Sequence, residues 1–171
     1  MKAARFAIPL ALLIGGGLLA VWLLQKPREP LQADRILVEK EKRRMTLYFE
    51  NRPVRTYRIS LGRDPIGPKT QEGDQKTPEG VYFIEGRNPE STFHLSLRIS
   101  YPNAADTAQA EARGVPAGFD IMIHGLPNRT ANPGSARWRE DWTAGCIAVT
   151  DAEIEEIWAA VPDGVPVEIR P

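Results

Sequence analysis

The sequence predicts a mainly β domain with one or two short helices, preceded by an N-terminal transmembrane helix. Three observations predict it. Short apolar segments alternate with polar residues at the two-residue period of a half-buried strand. The 14 glycines and 15 prolines break the chain into many turns, which suits strands better than a helical bundle. Lys2 and Arg5 precede an uncharged, mostly apolar stretch of 19 residues, Phe6 to Leu24, just long enough to cross a hydrocarbon core as a helix.

That first stretch reads as an uncleaved anchor over residues 1–25. Trp22 stands near its far end, where an aromatic ring anchors at the interface. Pro9 and the run Gly15-Gly16-Gly17 weaken a helix in water but are tolerated in a membrane. A cleaved signal peptide is the competing reading, yet no A-x-A-like site precedes Lys26. No cysteine follows the apolar stretch, which excludes lipoprotein processing. Residues 26–33 read as a short polar tether, and residues 34–171 as the folded domain.

The domain opens with three expected strands, marked by Ile36 and Val38, by Met45, Leu47 and Phe49, and by Tyr57, Ile59 and Leu61. A long loop rich in Gly, Pro and charge follows, Gly62 to Gly80, of a length usually functional or disordered. Further strands are expected at Val81–Glu85, Thr92–Ser100, Phe119–His124 and Ile147–Val149. The alanine-rich stretch Ala104–Arg113 ends at Gly114 and reads as a short helix. The clearest helix is Asp151–Val161: Thr150 and Glu153 form a capping box, Val149 and Ile154 a hydrophobic staple, and Pro162 stops it. Ile154, Ile157, Trp158 and Val161 recur at helical spacing and belong to the core. A last strand covers Val165–Ile169.

Composition narrows the function. The 22 basic and 22 acidic residues cancel, which leaves no electrostatic footprint for nucleic acid. The single cysteine cannot form an intramolecular disulfide or a thiolate zinc cage. Only two histidines exist, His94 and His124. His124 ends the apolar run Ile121-Met122-Ile123 and is followed by Gly125; Cys146 follows Gly145 and opens the run Ile147-Ala148-Val149. Two adjacent strands would bring these side chains to one rim of a sheet. An imidazole beside a thiol favours its nucleophilic form. Gly145 permits close backbone approach and leaves its N–H available, so that with the Cys146 N–H it can stabilise an oxyanion. The Gly125 carbonyl is a candidate to orient the other imidazole nitrogen. For those two features alone, a buried inert thiol and a hydrogen-bonded core histidine remain the plainer reading.

The surrounding residues shift that weight. Ile123-His124-Gly125, with Asp141-Trp142-Thr143-Ala144-Gly145-Cys146-Ile147, closely resembles the catalytic signature of the L,D-transpeptidase (YkuD-like) family. Gly73-Asp74 with Thr77-Pro78-Glu79-Gly80, and the stretch Phe93–Asn103, resemble further segments of that family. The match runs from about Arg35 to the C-terminus, essentially the whole soluble part. It implies a β-sandwich or barrel-like catalytic fold and acyl transfer through a Cys146 thioester on peptidoglycan stem peptides, in cell-wall cross-linking or remodelling. By the resemblance, Cys146 attacks the carbonyl of the third, L-centred residue and expels the terminal D-alanine. An amine on another stem peptide or an envelope protein resolves the thioester; water would make the enzyme a hydrolase. His124 carries over as base, Gly125 as its backbone orienter, Gly145 and Cys146 as oxyanion donors, and Thr143 as the Ser/Thr of the motif, expected at the substrate. No metal or organic cofactor is implied. The expected location is the inner membrane, single-pass with the catalytic domain in the periplasm, or secretion after signal cleavage.

Ala144 and Ala148 depart from residues common in the family, His and Arg or Asn respectively, which bears on the acceptor. His94 and Arg98 share the polar parity of their strand. Arg98 is a candidate for a stem carboxylate, since arginine suits bidentate recognition; an exposed strand face is the alternative for both. The basic loop Leu126–Glu140, with Arg129, Arg137 and Arg139, is a further candidate for the acidic peptide. A sortase-like enzyme also places His before Cys, but the gap here is short and the T-L-x-T-C string is absent, and papain-like peptidases reverse the Cys–His order. A zinc site of His94, His124 and Cys146 and a non-catalytic envelope-binding module remain as rivals.

Overall fold

The structure, a computed structural model, describes residues 30–130 and 140–171. The expected anchor, the first half of the tether (26–29), and Arg137 and Arg139 lie outside the described residues. Among the described residues, no helix is long and apolar enough to cross a membrane.

Among the described residues, eight strands and two helices follow in chain order: β1 (Arg35–Glu39), β2 (Arg44–Phe49), β3 (Arg52–Arg58), β4 (Gly80–Ser91), β5 (His94–Ile99), α1 (Ala104–Ala112), β6 (Met122–His124), β7 (Ile147–Ala148), α2 (Asp151–Ala160) and β8 (Pro166–Arg170). The strands form one sheet in the order β3-β2-β1-β8-β4-β5-β6-β7. Neighbours run antiparallel except β1 with β8 and β6 with β7. The long β4 joins two halves of the sheet. Residues Gly80–Phe83 pair with β8 and those from Ile84 onward with β5, the β5 ladder shifting register after Ile84 and again after Asn88.

Beyond β3 the chain leaves β2 and crosses to the other end of the sheet. Ser60 bridges Ala148 of β7 through two hydrogen bonds of 2.9 Å, and Gly62 bridges Thr143. The two ends of the strand order therefore meet, which gives the expected barrel-like character. This crossing explains a departure from expectation. Ile59 and Leu61 keep the alternating, buried pattern of a strand, but here the chain pairs elsewhere: the Ile59 amide bonds the Arg43 carbonyl, Ser60 pairs with Ala148, and Leu61 accepts the Thr143 amide, so regular β3 stops at Arg58. Most of β3 itself is an exposed edge rather than a half-buried strand.

Other departures are local. β4 runs to Ser91 instead of stopping at Glu85, because Gly86, Arg87, Asn88 and Ser91 pair with β5. β6 begins only at Met122, because Asp120 takes a left-handed φ of 57° that ends regular strand geometry. The remaining boundaries shift by a residue or so, apart from the start of β5.

The core is enclosed by the sheet and α2. Ile36, Val38, Met45, Leu47, Tyr82, Leu97, Ile123, Ile147 and Val167 face α2 residues Ile154 and Ile157 in one buried cluster, with Trp158 partly buried at its margin. The α2 capping box forms as the sequence predicts: the Thr150 amide donates to Glu153 Oε2 at 2.8 Å, and the Glu153 amide to Thr150 Oγ1 at 3.4 Å. Such a cap contributes about 1 kcal/mol. α1 is capped by Asn103 and Asp106 and ends at Gly114, whose φ is 69°.

Candidate active site

β5, β6 and β7 form the platform on which the reactive residues stand. Ser96 pairs with His124 and Arg98 with Met122 across the antiparallel β5–β6 ladder. On the other side, Ile123 pairs with Ile147 and His124 with Ala148 in parallel. Cys146 immediately precedes β7, so it lies two register positions from His124 on the neighbouring strand. Strand spacing and rise put the two Cα atoms roughly 8 Å apart, within reach of an imidazole and a thiol.

The Cys146 sulfur is half-buried. It lies 3.6 Å from the Asp120 carbonyl and accepts from the Met122 amide. It opens onto a cavity of about 270 Å³ walled by Lys69, Glu72, Phe119, Asp120 and Ala144. The thiol is therefore accessible rather than sealed in the core. A larger cavity of about 690 Å³, by the C-terminal end of α2, includes neither Cys146 nor His124.

His124 is 3% exposed, and its Nδ1 lies 2.7 Å from the Gly125 carbonyl. A carbonyl can only accept, so Nδ1 carries the proton and Nε2 is left with a lone pair. Phe93 packs on the ring with centroids 4.5 Å apart, and Trp142 meets it edge-on at 5.7 Å. Burial depresses the His124 pKa below the ordinary imidazole value, with the Gly125 carbonyl opposing. Burial likewise raises the Cys146 thiol, reinforced by Asp120 and opposed by the Met122 amide and Lys69. Both effects favour a neutral thiol beside a neutral imidazole.

The Cys146 turn is held from below by Thr143. Its hydroxyl donates to the Cys146 carbonyl at 2.8 Å and accepts the Gly145 amide at 3.0 Å. Thr143 is only 4% exposed, so its hydroxyl braces the turn instead of facing a ligand. This corrects the expectation that the Gly145 N–H stands available as an oxyanion donor: it is committed to Thr143. Gly145 itself requires glycine, since its φ is 137° and a Cβ would sit 2.7 Å from the Lys76 carbonyl. Asp141 ties the same segment to the first hairpin, pairing with the Arg43 guanidinium at 2.7–3.2 Å and accepting the Leu61 amide at 2.9 Å.

The long loop 62–80 forms an ordered wall of the site. Lys69 and Asp74 pair at 2.8 Å, both nearly buried, and Asp74 also accepts the amides of Thr70, Gln71 and Lys76. Lys40 reaches into its base, bonding Glu79 and the carbonyls of Gly67 and Thr77. Gly62 makes the closest approach: a Cβ there would lie 2.0 Å from the Gln75 carbonyl and 3.2 Å from the Gly145 Cα.

The two other expected residues separate. Arg98 is half-exposed beside Glu85 and Asp120, at 3.1 and 3.9 Å, and lines a second cavity next to Met122. His94 has a left-handed φ of 67°, which diverts it from the parity of β5, and its Nε2 lies 2.7 Å from Glu155 on α2. It lines neither the Cys146 cavity nor the Arg98 cavity. Among the described residues, no group of three or more His, Cys, Asp or Glu is arranged to hold a metal ion. Phe93 and Trp142, the aromatic walls of His124, carry no signal in the sequence as isolated apolar residues.

The chain is similar in sequence and fold to known proteins. Residues 33–169 match the model of the L,D-transpeptidase catalytic domain, YkuD. The chain is 30% identical over 132 residues to the Escherichia coli K12 protein named "Putative L,D-transpeptidase YafK", covering 74% of this chain and 46% of that one. It resembles the structure of Bdellovibrio bacteriovorus Bd1075 at 25% identity and a TM-score of 0.57, over 84% of this chain and 50% of that one. The fold also matches the helical cell shape determining protein Pgp2 of Campylobacter jejuni, at 24% identity and a TM-score of 0.62, over 88% and 54% of the two chains. The chain thus spans about half the length of these relatives.

Proposed function

The chain belongs to the L,D-transpeptidase (YkuD) family, and from that premise we propose that it is a cysteine acyltransferase acting on peptidoglycan stem peptides, with Cys146 as nucleophile and His124 as base. The observation that carries this reading is the fixed tautomer of His124. Its Nδ1–H is held by the Gly125 carbonyl, which leaves Nε2 to accept a proton on the strand beside an accessible thiol.

Attack begins from the neutral pair. The Cys146 sulfur bonds to the carbonyl carbon of the third stem residue as its proton passes to His124 Nε2. The oxyanion takes a hydrogen bond from the Cys146 amide. The scissile C–N bond then breaks, His124 returns the proton to the departing D-alanine nitrogen, and a thioester remains. In the second half an amine attacks the thioester carbonyl, loses its proton to His124, and the sulfur leaves as the thiol. One amide bond is broken and one formed, so no cofactor is needed; with water as acceptor the product is a carboxylate.

Thr143, Asp141 and the loop 62–80 act as positioning elements in this scheme, holding the turn and one wall of the cavity. The acceptor, an amine of another stem peptide or of an envelope protein, would enter the same site. Residues 6–24 would anchor the domain at the inner membrane and hold it in the periplasm near its polymeric substrate, in cross-linking or remodelling of the wall. The test is incubation of the purified protein with muropeptides that carry tetrapeptide stems. D-alanine release and rejoined or hydrolysed stems, read by mass, are expected from the wild type and not from Cys146→Ala. Absent release, or release indifferent to that substitution, contradicts the reading.

A further inference from the structure

The second cavity, about 260 Å³, is lined by Ser96, Arg98 and Met122 together with Gly86, Arg87 and Asn88. Ser96 is 1% exposed, and its hydroxyl has no hydrogen-bond partner. A buried hydroxyl left without a partner is costly, and it is uncommon in folded proteins. Its place in the ladder is specific. The Ile99 amide bonds the Ile121 carbonyl and the Gly125 amide bonds the Leu95 carbonyl. The intervening pairs, Ser96 with His124 and Arg98 with Met122, are therefore the non-hydrogen-bonded positions, where facing side chains stand closest.

Arg98 supplies a cation at the same cavity. Its Nε lies 3.1 Å from Glu85 and its Nη1 is 3.9 Å from Asp120, so two carboxylates each meet one nitrogen and neither forms a bidentate pair. Arg87, the other cation lining this cavity, is committed elsewhere: it pairs with Asp163, bonds the Trp158 and Val161 carbonyls and stacks on the Trp158 ring.

Resting on the proposed acyl transfer, we infer that this cavity is a carboxylate subsite for the amino acid that leaves and for the one that replaces it, read by Arg98 and the Ser96 hydroxyl. The order of groups across the strands matches the order of atoms in the substrate. Cys146, beside β6, meets the acyl carbon; His124 in β6 meets the amide nitrogen; Ser96 and Arg98 in β5 meet the carboxylate one carbon beyond that nitrogen. Two strand spacings, about 10 Å, separate the ends of this row, and the arginine side chain spans the difference. A leaving amine and an incoming amine occupy the same position in the two halves of the reaction. An acceptor with a carboxylate beside its amine is therefore favoured over a simple amine.

The experiment compares two tetrapeptide donors with the full chain, one ending in D-alanine and one in D-alaninamide, by initial rate of release of the terminal residue. Wild type is expected to prefer the free acid by about tenfold to a hundredfold, the worth of one charge-assisted pair. Arg98→Ala is expected to bring the acid-to-amide ratio near one, and Ser96→Ala to reduce it by a smaller factor without lowering the melting temperature. Equal turnover of both donors by wild type, or an equal loss on both with Arg98→Ala, overturns the subsite while the acyl transfer stands. Release from neither donor overturns the acyl-transfer reading and the subsite with it.

Discussion

The Thr143 hydroxyl donates to the carbonyl of Cys146 across 2.8 Å and at the same time accepts the amide of Gly145. A single buried side chain thus fixes the two peptide units that present the thiol. The sequence predicts Thr143 at the substrate; in the fold its hydrogen-bonding capacity is spent on the turn. Access and orientation of the sulfur follow from that brace, because the cavity wall at Ala144 and the contact with the Met122 amide both depend on the path of the same turn.

Thr143→Val keeps the shape and removes the hydroxyl. The buried Gly145 amide then loses its acceptor, which costs about 1–3 kcal/mol. The melting temperature and the rate of thiol acylation are expected to fall together, and Thr143→Ser to recover most of both. Acylation unchanged in Thr143→Val would show that the turn holds without the brace.

Gly62→Ala tests the packing behind the site without touching a reactive group. Its Cβ would clash with the Gln75 carbonyl and crowd Gly145. The loop 62–80 has to shift, so a destabilisation of a few kcal/mol is expected, about the range for overpacked sites. Chemical denaturation measures it. A variant as stable as wild type would mean that the loop yields at little cost.

The pH dependence follows from two shifts caused mainly by burial. The His124 pKa is depressed, so the base is neutral at and above the ordinary imidazole value and is lost only as pH falls below it. The acid limb of kcat/KM is expected below about pH 6.5. The thiol is raised, so alkylation by iodoacetamide should titrate above the ordinary value of about 8.5. Rapid alkylation at pH 6 would instead indicate a preformed thiolate–imidazolium pair. His124 also contributes to stability in the same sense: a buried imidazole with a depressed pKa stabilises the fold above about pH 6.5, and that contribution is lost as pH falls toward the folded value.

Much of this architecture is legible in the sequence because it is local. The capping box at Thr150 and Glu153, the alternation in β1 and β2, and Gly114 after α1 are written in residues a few positions apart. The pairing of β6 with β7 is legible at one remove, from two apolar runs each beside a glycine and a reactive residue. What escapes is non-local. Ser60 and Leu61 look like the end of β3, but their partners are Ala148 and Thr143, far along the chain. The committed amide of Gly145, the aromatic walls Phe93 and Trp142, and the diversion of His94 to Glu155 all depend on contacts that no spacing encodes. Ser96 is the clearest case: in sequence it is one polar residue of an alternating strand, and only the register beside His124 gives it meaning.

Cys146 is the only thiol in the chain, so covalent capture reads the central claim without ambiguity. Intact mass after incubation with a carbapenem is the direct measurement. A single adduct on the wild type, slowed in His124→Ala and missing from Cys146→Ala, is the predicted result. A wild-type mass left unmodified, or an adduct that survives the loss of the sulfur, would contradict it.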